Sequence, residues 1–176
     1  MAVEDNTEGR VVMTSYQKAY LAGLIDGDGS LMLQIKPRPD VKYRFRIKAT
    51  IVIYQDTKLK FLVKEIHDLL QMGYIYDRND HITEIRIEGF SQVKIFLTMI
   101  KPYLRFKLNQ AILLLQAIKI MQKATFSITD FLKVCKLADE ISNQNYVSKT
   151  RKYTYQYVVA ELKSHYLLPV TTGALN

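Results

Sequence analysis

Cys135 is the only cysteine, so no disulfide closes within the chain, and a reducing compartment suits it. Tryptophan is absent, which excludes little. No apolar run approaches the ~18–20 residues a membrane-spanning helix needs, so nothing is expected to cross a bilayer. The opening MAVEDNTEGR sets Glu4, Asp5 and Glu8 against one arginine, whereas transit peptides are poor in acids. No apolar stretch follows it to make a signal peptide, and residues 1–13 are expected to form a flexible arm. Acids are scarce in two later segments. Residues 31–60 hold eight bases (Lys36, Arg38, Lys42, Arg44, Arg46, Lys48, Lys58, Lys60) against Asp40 and Asp56, and residues 101–123 hold five bases and no acid. These two segments, +6 and +5, together exceed the formal net charge of +8, so the rest of the chain is slightly acidic, and basicity concentrated in this way favours a polyanionic partner.

What is present first is a core. Apolar residues make up 48% of 176, enough for one domain, or one domain with a helical appendage. Thr14 or Ser15 can cap a helix in which Tyr16, Tyr20, Leu21, Leu24 and Ile25 recur at helical spacing. Ala19, Ala22, Gly23, Asp26 and Gly27 form a second stripe of mostly small residues. After Ser30 the period changes to two. Leu31, Leu33 and Ile35 alternate with Met32, Gln34 and Lys36 until Pro37. After a turn at PDVK, the run YRFRIKATIVIY places Tyr43, Phe45, Ile47, Ala49, Ile51 and Ile53 on one face. Arg44, Arg46, Lys48, Thr50, Val52 and Tyr54 take the other face. This reads as an antiparallel hairpin with one apolar and one basic, hydrogen-bonding side. An amphipathic helix follows over Asp56–Met72, with Leu59, Leu62, Val63, Ile66, Leu69 and Leu70 expected to be buried and Gly73 as the stop. A second hairpin turns near Asn79–Asp80. Residues 91–100 and 108–123 look helical, the latter apolar around most of its circumference. A helix capped by Ser127 and Asp130 and a tyrosine- and lysine-rich stretch over 150–166 complete the series. The domain is expected to span 14–145, with a helical extension over 146–176. His67, His81 and His165 have no ligand spacing.

The stretch YLAGLIDGDGS, residues 20–30, closely resembles the signature of LAGLIDADG homing endonucleases, matching LAGLIDADG everywhere except for Gly27 in place of alanine. The resemblance continues in QIKP, GYIYDR and KPYLRFKLNQA, and covers roughly residues 14–145. It is strongest to the single-motif, homodimeric members encoded in organellar introns. The resemblance implies an α+β, α-β-β-α-β-β-α fold with an antiparallel DNA-binding sheet, plus the C-terminal helices. It also implies that two motif helices pack at a dimer interface through Ala22, Gly23, Asp26 and Gly27. Each helix then delivers Asp28 to a divalent metal at the scissile phosphates, with the Gly27 carbonyl as a second ligand. The metal expected is Mg²⁺, with Mn²⁺ an acceptable substitute, since hard cations prefer oxygen donors. The metal also answers a physical problem. Carboxylates at a helix C-terminus face the negative end of the macrodipole and need a cation to offset them. By the same resemblance Gln55 positions the water network and Lys107 supports charge stabilisation. A second basic residue that relatives carry falls on Leu59 here, and either Lys58 or Lys60 can replace it.

A two-stranded ribbon fits the major groove, and strand rise nearly matches base-pair rise, so hairpin arms of nine to twelve residues follow roughly 9–12 base pairs. The outward residues Gln34, Lys36, Arg38, Arg44, Arg46, Lys48, Thr50 and Tyr54 match the face the family uses on DNA. Tyr76, Arg78, Glu84 and Arg86 extend it. Arginine suits guanine and glutamine suits adenine, while Glu84 or Glu88 can accept from cytosine or pair with Arg86. The expectation is a homodimeric, metal-dependent endonuclease that cuts double-stranded DNA at a long pseudo-palindromic site. It is expected to be made inside an organelle, a chloroplast before a mitochondrion, with no membrane partner. The alternatives are an RNA-binding intron maturase and a non-catalytic DNA-binding regulator.

Overall fold

Thr14 opens the first helix by accepting from the Gln17 amide, while the Gln17 side chain accepts from the Thr14 amide. This capping box starts α1 at Ser15–Asp28. The computed structural model describes residues 13–145, 151–165 and 167–168. The expected N-terminal arm lies outside them except for Met13, which is buried against the core rather than free. The expected extension over 146–176 is described only in part.

Helix α1 runs directly into β1 (Gly29–Pro37), which pairs antiparallel with β2 (Phe45–Asp56) from Gly29 opposite Ile53 to Pro37 opposite Phe45. Next come α2 (Lys60–Leu70), β3 (Tyr74–Asp77), β4 (Ile82–Glu88), α3 (Phe90–Ile100), α4 (Leu108–Met121), α5 (Ile128–Asn143) and α6 (Tyr155–Ser164). The sheet order is β1-β2-β4-β3, and every pairing is antiparallel. The helices collect on one face, where Leu31, Leu33, Ile35, Ile47, Ile51, Ile53, Ile85 and Ile87 meet Leu21, Ile25, Phe96, Leu114 and Phe131. Burying each such side chain contributes about 1.5–3 kcal/mol. Among the described residues no helix covers the opposite face. The result is the two-layer α+β arrangement expected from the sequence.

Three local expectations need correction. Strand β2 begins at Phe45, not Tyr43, because Arg44 lies in the left-handed region at φ 59° and drops out of the alternation. Helix α2 buries Val63 and Leu70 and packs Ile66 and Leu69 partly against the core, but Leu62, and Leu59 just before the helix, are exposed. Helix α4 is less enclosed than its composition implies, and Ile112 faces outward. The inner face of α5, by contrast, is the predicted one: Phe131, Val134, Cys135, Ala138 and Ile141 are all buried. Burial pushes the Cys135 thiol up to about 12. Among the described residues no helix is long and apolar enough to cross a membrane.

Candidate active site and nucleic-acid interface

The acidic end of α1 separates two aspartates that the sequence treats alike. The Asp26 carboxylate accepts from the backbone amides of Arg105, at 2.7 Å, and Lys107, at 2.9 Å. Lys107 is the N-cap of α4 and has no side-chain cap of its own. Asp26 therefore caps α4 from another helix, with its charge facing that helix's positive end. The Lys107 ammonium closes the joint, donating to the Asp26 carbonyl at 2.7 Å. The carboxylate of Asp26 is thus committed within its own protomer. Asp28 is exposed and makes no hydrogen bond or close ion pair among the described residues. Its negative charge reaches Lys107, where it and Asp26 oppose the lowering that burial imposes on the ammonium.

Gly29 makes this geometry possible. A Cβ there would lie 2.7 Å from the Ile25 Cα, so only glycine lets the chain turn from helix into strand against the last helical turn. The β1–β2 register then carries Gln55 two residues past the pairing of Gly29 with Ile53, beside the end of α1. Asp28, Lys107 and Gln55 thus come to one end of the sheet. The Gln55 side chain accepts from the Asp56 amide at 3.1 Å. Of the two candidates for the second base, Lys60 is ion-paired with Asp77 and, with Thr83, holds that carboxyl below its usual range. Lys58 is exposed and has no acidic partner among the described residues.

The residues at the end of α1 fit a hard cation. An exposed, uncommitted carboxylate stands beside the last helical carbonyls, which lack intrahelical donors, and both donor types suit Mg²⁺. Asp28 and the Gly27 carbonyl are the groups that would hold it. Among the described residues no cluster of three or more acidic, histidine or cysteine side chains forms a metal site within one protomer. Of the small-residue stripe, Gly23 and Gly27 are exposed with open space above them, whereas Ala22 is 0% exposed and packs in the protomer's own core. Ala22 is therefore corrected out of the dimer face. Tyr16 and Tyr20 share the outer face of α1 at 89% and 58% exposed, and Phe106, in the segment tied to Asp26, is 88% exposed. Phe106 was missed in the sequence because an isolated phenylalanine in a loop has no periodic pattern.

On the open face of the sheet the predicted contact residues divide. Lys36 and Arg46 are exposed and make no ion pair among the described residues. Gln34 is half-buried, and Tyr54 and Tyr76 are exposed. Arg38 pairs with Asp40, and Lys48 with Glu88 at 2.8 Å. Three expectations fail at the side-chain level. Thr50 is only 3% exposed, lying on the floor between flanking strands with its hydroxyl buried and unpartnered. Arg44 turns toward α6, 3.9 Å from Glu161, with its Nε buried. Glu84 is 3% exposed and clamped between Arg78 and Arg86, so it takes the alternative of pairing with Arg86 rather than standing free to meet cytosine.

A twisted antiparallel sheet with one basic open face, and a lone acidic residue delivered to its end by a glycine-flanked helix, defines a nucleic-acid-processing protein. The chain belongs to the LAGLIDADG endonuclease family, whose model matches residues 21–110. It is 36% identical to DNA endonuclease I-CreI of Chlamydomonas reinhardtii over 154 residues, 86% of this chain and 93% of that one. DNA endonuclease I-CvuI of Chlorella vulgaris is 31% identical over 70% of this chain and 76% of its own length. The crystal structure of I-CvuI with the I-CreI target superposes with a TM-score of 0.79 at 29% identity, covering 85% of this chain and 94% of that one. An archaeal intron-encoded homing endonuclease, I-Vdi141I, shares the fold with a TM-score of 0.76 over 87% of this chain and 98% of its own.

Proposed function

We infer that this chain is a site-specific endonuclease of the homing type that hydrolyses both strands of double-stranded DNA as a homodimer. The observation that carries the reading is the division of labour at the end of α1. Asp26 is consumed as a structural cap, while Asp28 is left uncommitted at the negative pole of a helix. One carboxylate is a weak metal site, so a second copy and the substrate's phosphate oxygens complete it. Mg²⁺, with Mn²⁺ as substitute, supplies charge neutralisation and a more acidic water there when bound. Asp28 and the Gly27 carbonyl orient it. Gln55 holds solvent in line with the phosphorus. Lys107, anchored at Asp26, offers an ammonium to the charge that grows on the phosphate oxygens. Lys58, not Lys60, takes the place of the second base, because Lys60 is already neutralised by Asp77. The outer face of α1, with Gly23, Gly27, Tyr16 and Tyr20, receives the second protomer. Gln34, Lys36, Arg46, Lys48, Tyr54, Arg78 and Arg86 line the DNA groove. The domain runs from residue 14 to 145. Synthesis inside an organelle, a chloroplast before a mitochondrion, is supported by the relative from the chloroplast-bearing alga Chlamydomonas reinhardtii.

The test is cleavage of a library of randomised duplexes with Mg²⁺, followed by sequencing of cut ends. The expected result is one near-palindromic site of roughly 20 base pairs, cut on both strands, since each hairpin follows about 10. No cut ends, together with retention of intron RNA in preference to duplex, would overturn the reading.

A further inference from the structure

Glu84 occupies an unusual position for an acid facing a polyanion. It sits on β4, a central strand, with Tyr54 of β2 and Tyr76 of β3 as its lateral neighbours. Both of its oxygens are used: Oε1 accepts from Arg78 Nη1 at 3.0 Å and Oε2 from Arg86 Nε at 2.6 Å. Asp80 accepts from Arg78 Nε and Nη2. The Arg86 guanidinium also lies 4.7 Å from the centroid of the Tyr76 ring. The charges sum to zero: Arg78 and Arg86 give +2, Asp80 and Glu84 give −2. A neutral cluster is poorly suited to attracting phosphate. A guanidinium has five N–H donors, and three of those on Arg78 are taken, which leaves two. Paired donors on a fixed arginine suit the two acceptors of a guanine edge. An arginine bound this way has already given up much of its rotamer freedom, so less is lost when it meets a base.

We propose that Glu84 is a positioning residue of the DNA-reading groove: it holds Arg78 and Arg86 in orientations that present their remaining N–H groups to base edges, and touches no base itself. This rests on the DNA-binding reading above. It also divides the sheet by task. The first hairpin, with Lys36 and Arg46 unpaired, supplies phosphate attraction. The second hairpin, internally neutralised, supplies discrimination.

The full chain, as wild type and as Glu84→Gln, is equilibrated in Ca²⁺ with a duplex library, and the retained sequences are compared. Arg78→Ala and Arg86→Ala mark the base pairs that those arginines read. Glu84→Gln is expected to lose about tenfold in discrimination at those same base pairs, the size of a good base contact, and to keep it elsewhere. Its affinity for unrelated duplex is expected to stay level or rise, because a negative charge has left the groove. In the Arg78→Ala background the Gln substitution adds nothing at the Arg78 position. If the Gln variant does not fold, Glu84→Asp keeps the charge but spans only one arginine, and is expected to lose discrimination at one of the two positions. An unchanged base profile, an equal affinity loss for every sequence, or a loss at base pairs neither arginine reads would overturn the proposal. If wild type itself selects no duplex, the DNA-binding reading has failed, an outcome visible without any variant.

Discussion

Asp26 and Asp28 stand two positions apart in one motif and have opposite relations to stability. Asp26 accepts from the N-cap amide of α4 and from the Arg105 amide just before it, and losing a cap costs about 0.5–2 kcal/mol. Asp26→Ala is therefore expected to lower stability by about that amount, read by denaturant unfolding. It is also expected to slow cleavage by releasing the Lys107 backbone amide, although the ammonium keeps its bond to the residue 26 carbonyl. Asp28 is a charge at the negative end of a helix with no hydrogen bond or close ion pair among the described residues, its nearest offset being the Lys107 ammonium. Asp28→Asn is expected to abolish cleavage, hold DNA binding within about tenfold, and raise stability of the free protein by about 0.3–1 kcal/mol. A cut rate equal to wild type for Asp28→Asn would refute the metal assignment. The sequence made Asp28 legible because the motif names its position. It hid the capping role of Asp26, because the partners lie 79 and 81 residues away and local spacing carries no information about such a contact. Thr50 and Glu84 were misread for a related reason: period-two alternation assigns a face of the sheet, but the depth of a side chain on that face depends on the strands beside it.

Elements were more legible than side chains, since caps and periodicity are local. Ser127 and Asp130 were read as a capping box, and both reciprocal bonds are present. Lys123 adds an ammonium 2.6 Å from Asp130, and that bond, with those from Ser127, holds the carboxyl down at about 2. The sign of the pH effect follows. The unfolded chain has Asp130 near 3.8, so between about 4 and 2 it binds more protons than the folded protein. The cap's contribution is full above that window and lost as pH falls through it. Asp130→Asn is expected to be less stable than wild type at pH 7, with the two unfolding curves converging as pH falls to about 2. A gap that persisted at pH 2 would assign the cap to hydrogen bonding independent of charge. The start of β2 strayed where the left-handed Arg44 intervenes, and such a residue is not written in hydrophobic period.

At the scale of the whole molecule, α1 presents a face that makes little sense in an isolated protomer. Gly23 is in an exposed helical interior, and a Cβ there would touch nothing within 4 Å. A glycine in that setting costs about 0.5–1 kcal/mol relative to alanine. The exposed rings of Tyr16 and Tyr20 flank it on the same face. A second backbone packed against the glycine, as proposed, would offset that cost and would bring two copies of Asp28 to one place. The consequence separates the two states. Gly23→Ala is expected to stabilise the protomer at concentrations where it is monomeric, by about 0.5–1 kcal/mol. It is expected to weaken the dimer and, with it, the cutting of both strands. Gly23→Leu, with more volume in the same open space, is expected to fold, to sediment as a monomer and to leave duplex uncut. The measurement is sedimentation equilibrium alongside denaturant unfolding. If Gly23→Leu sedimented as a dimer with wild-type affinity, the second copy would have to sit elsewhere, and the lone Asp28 carboxylate would need a different partner.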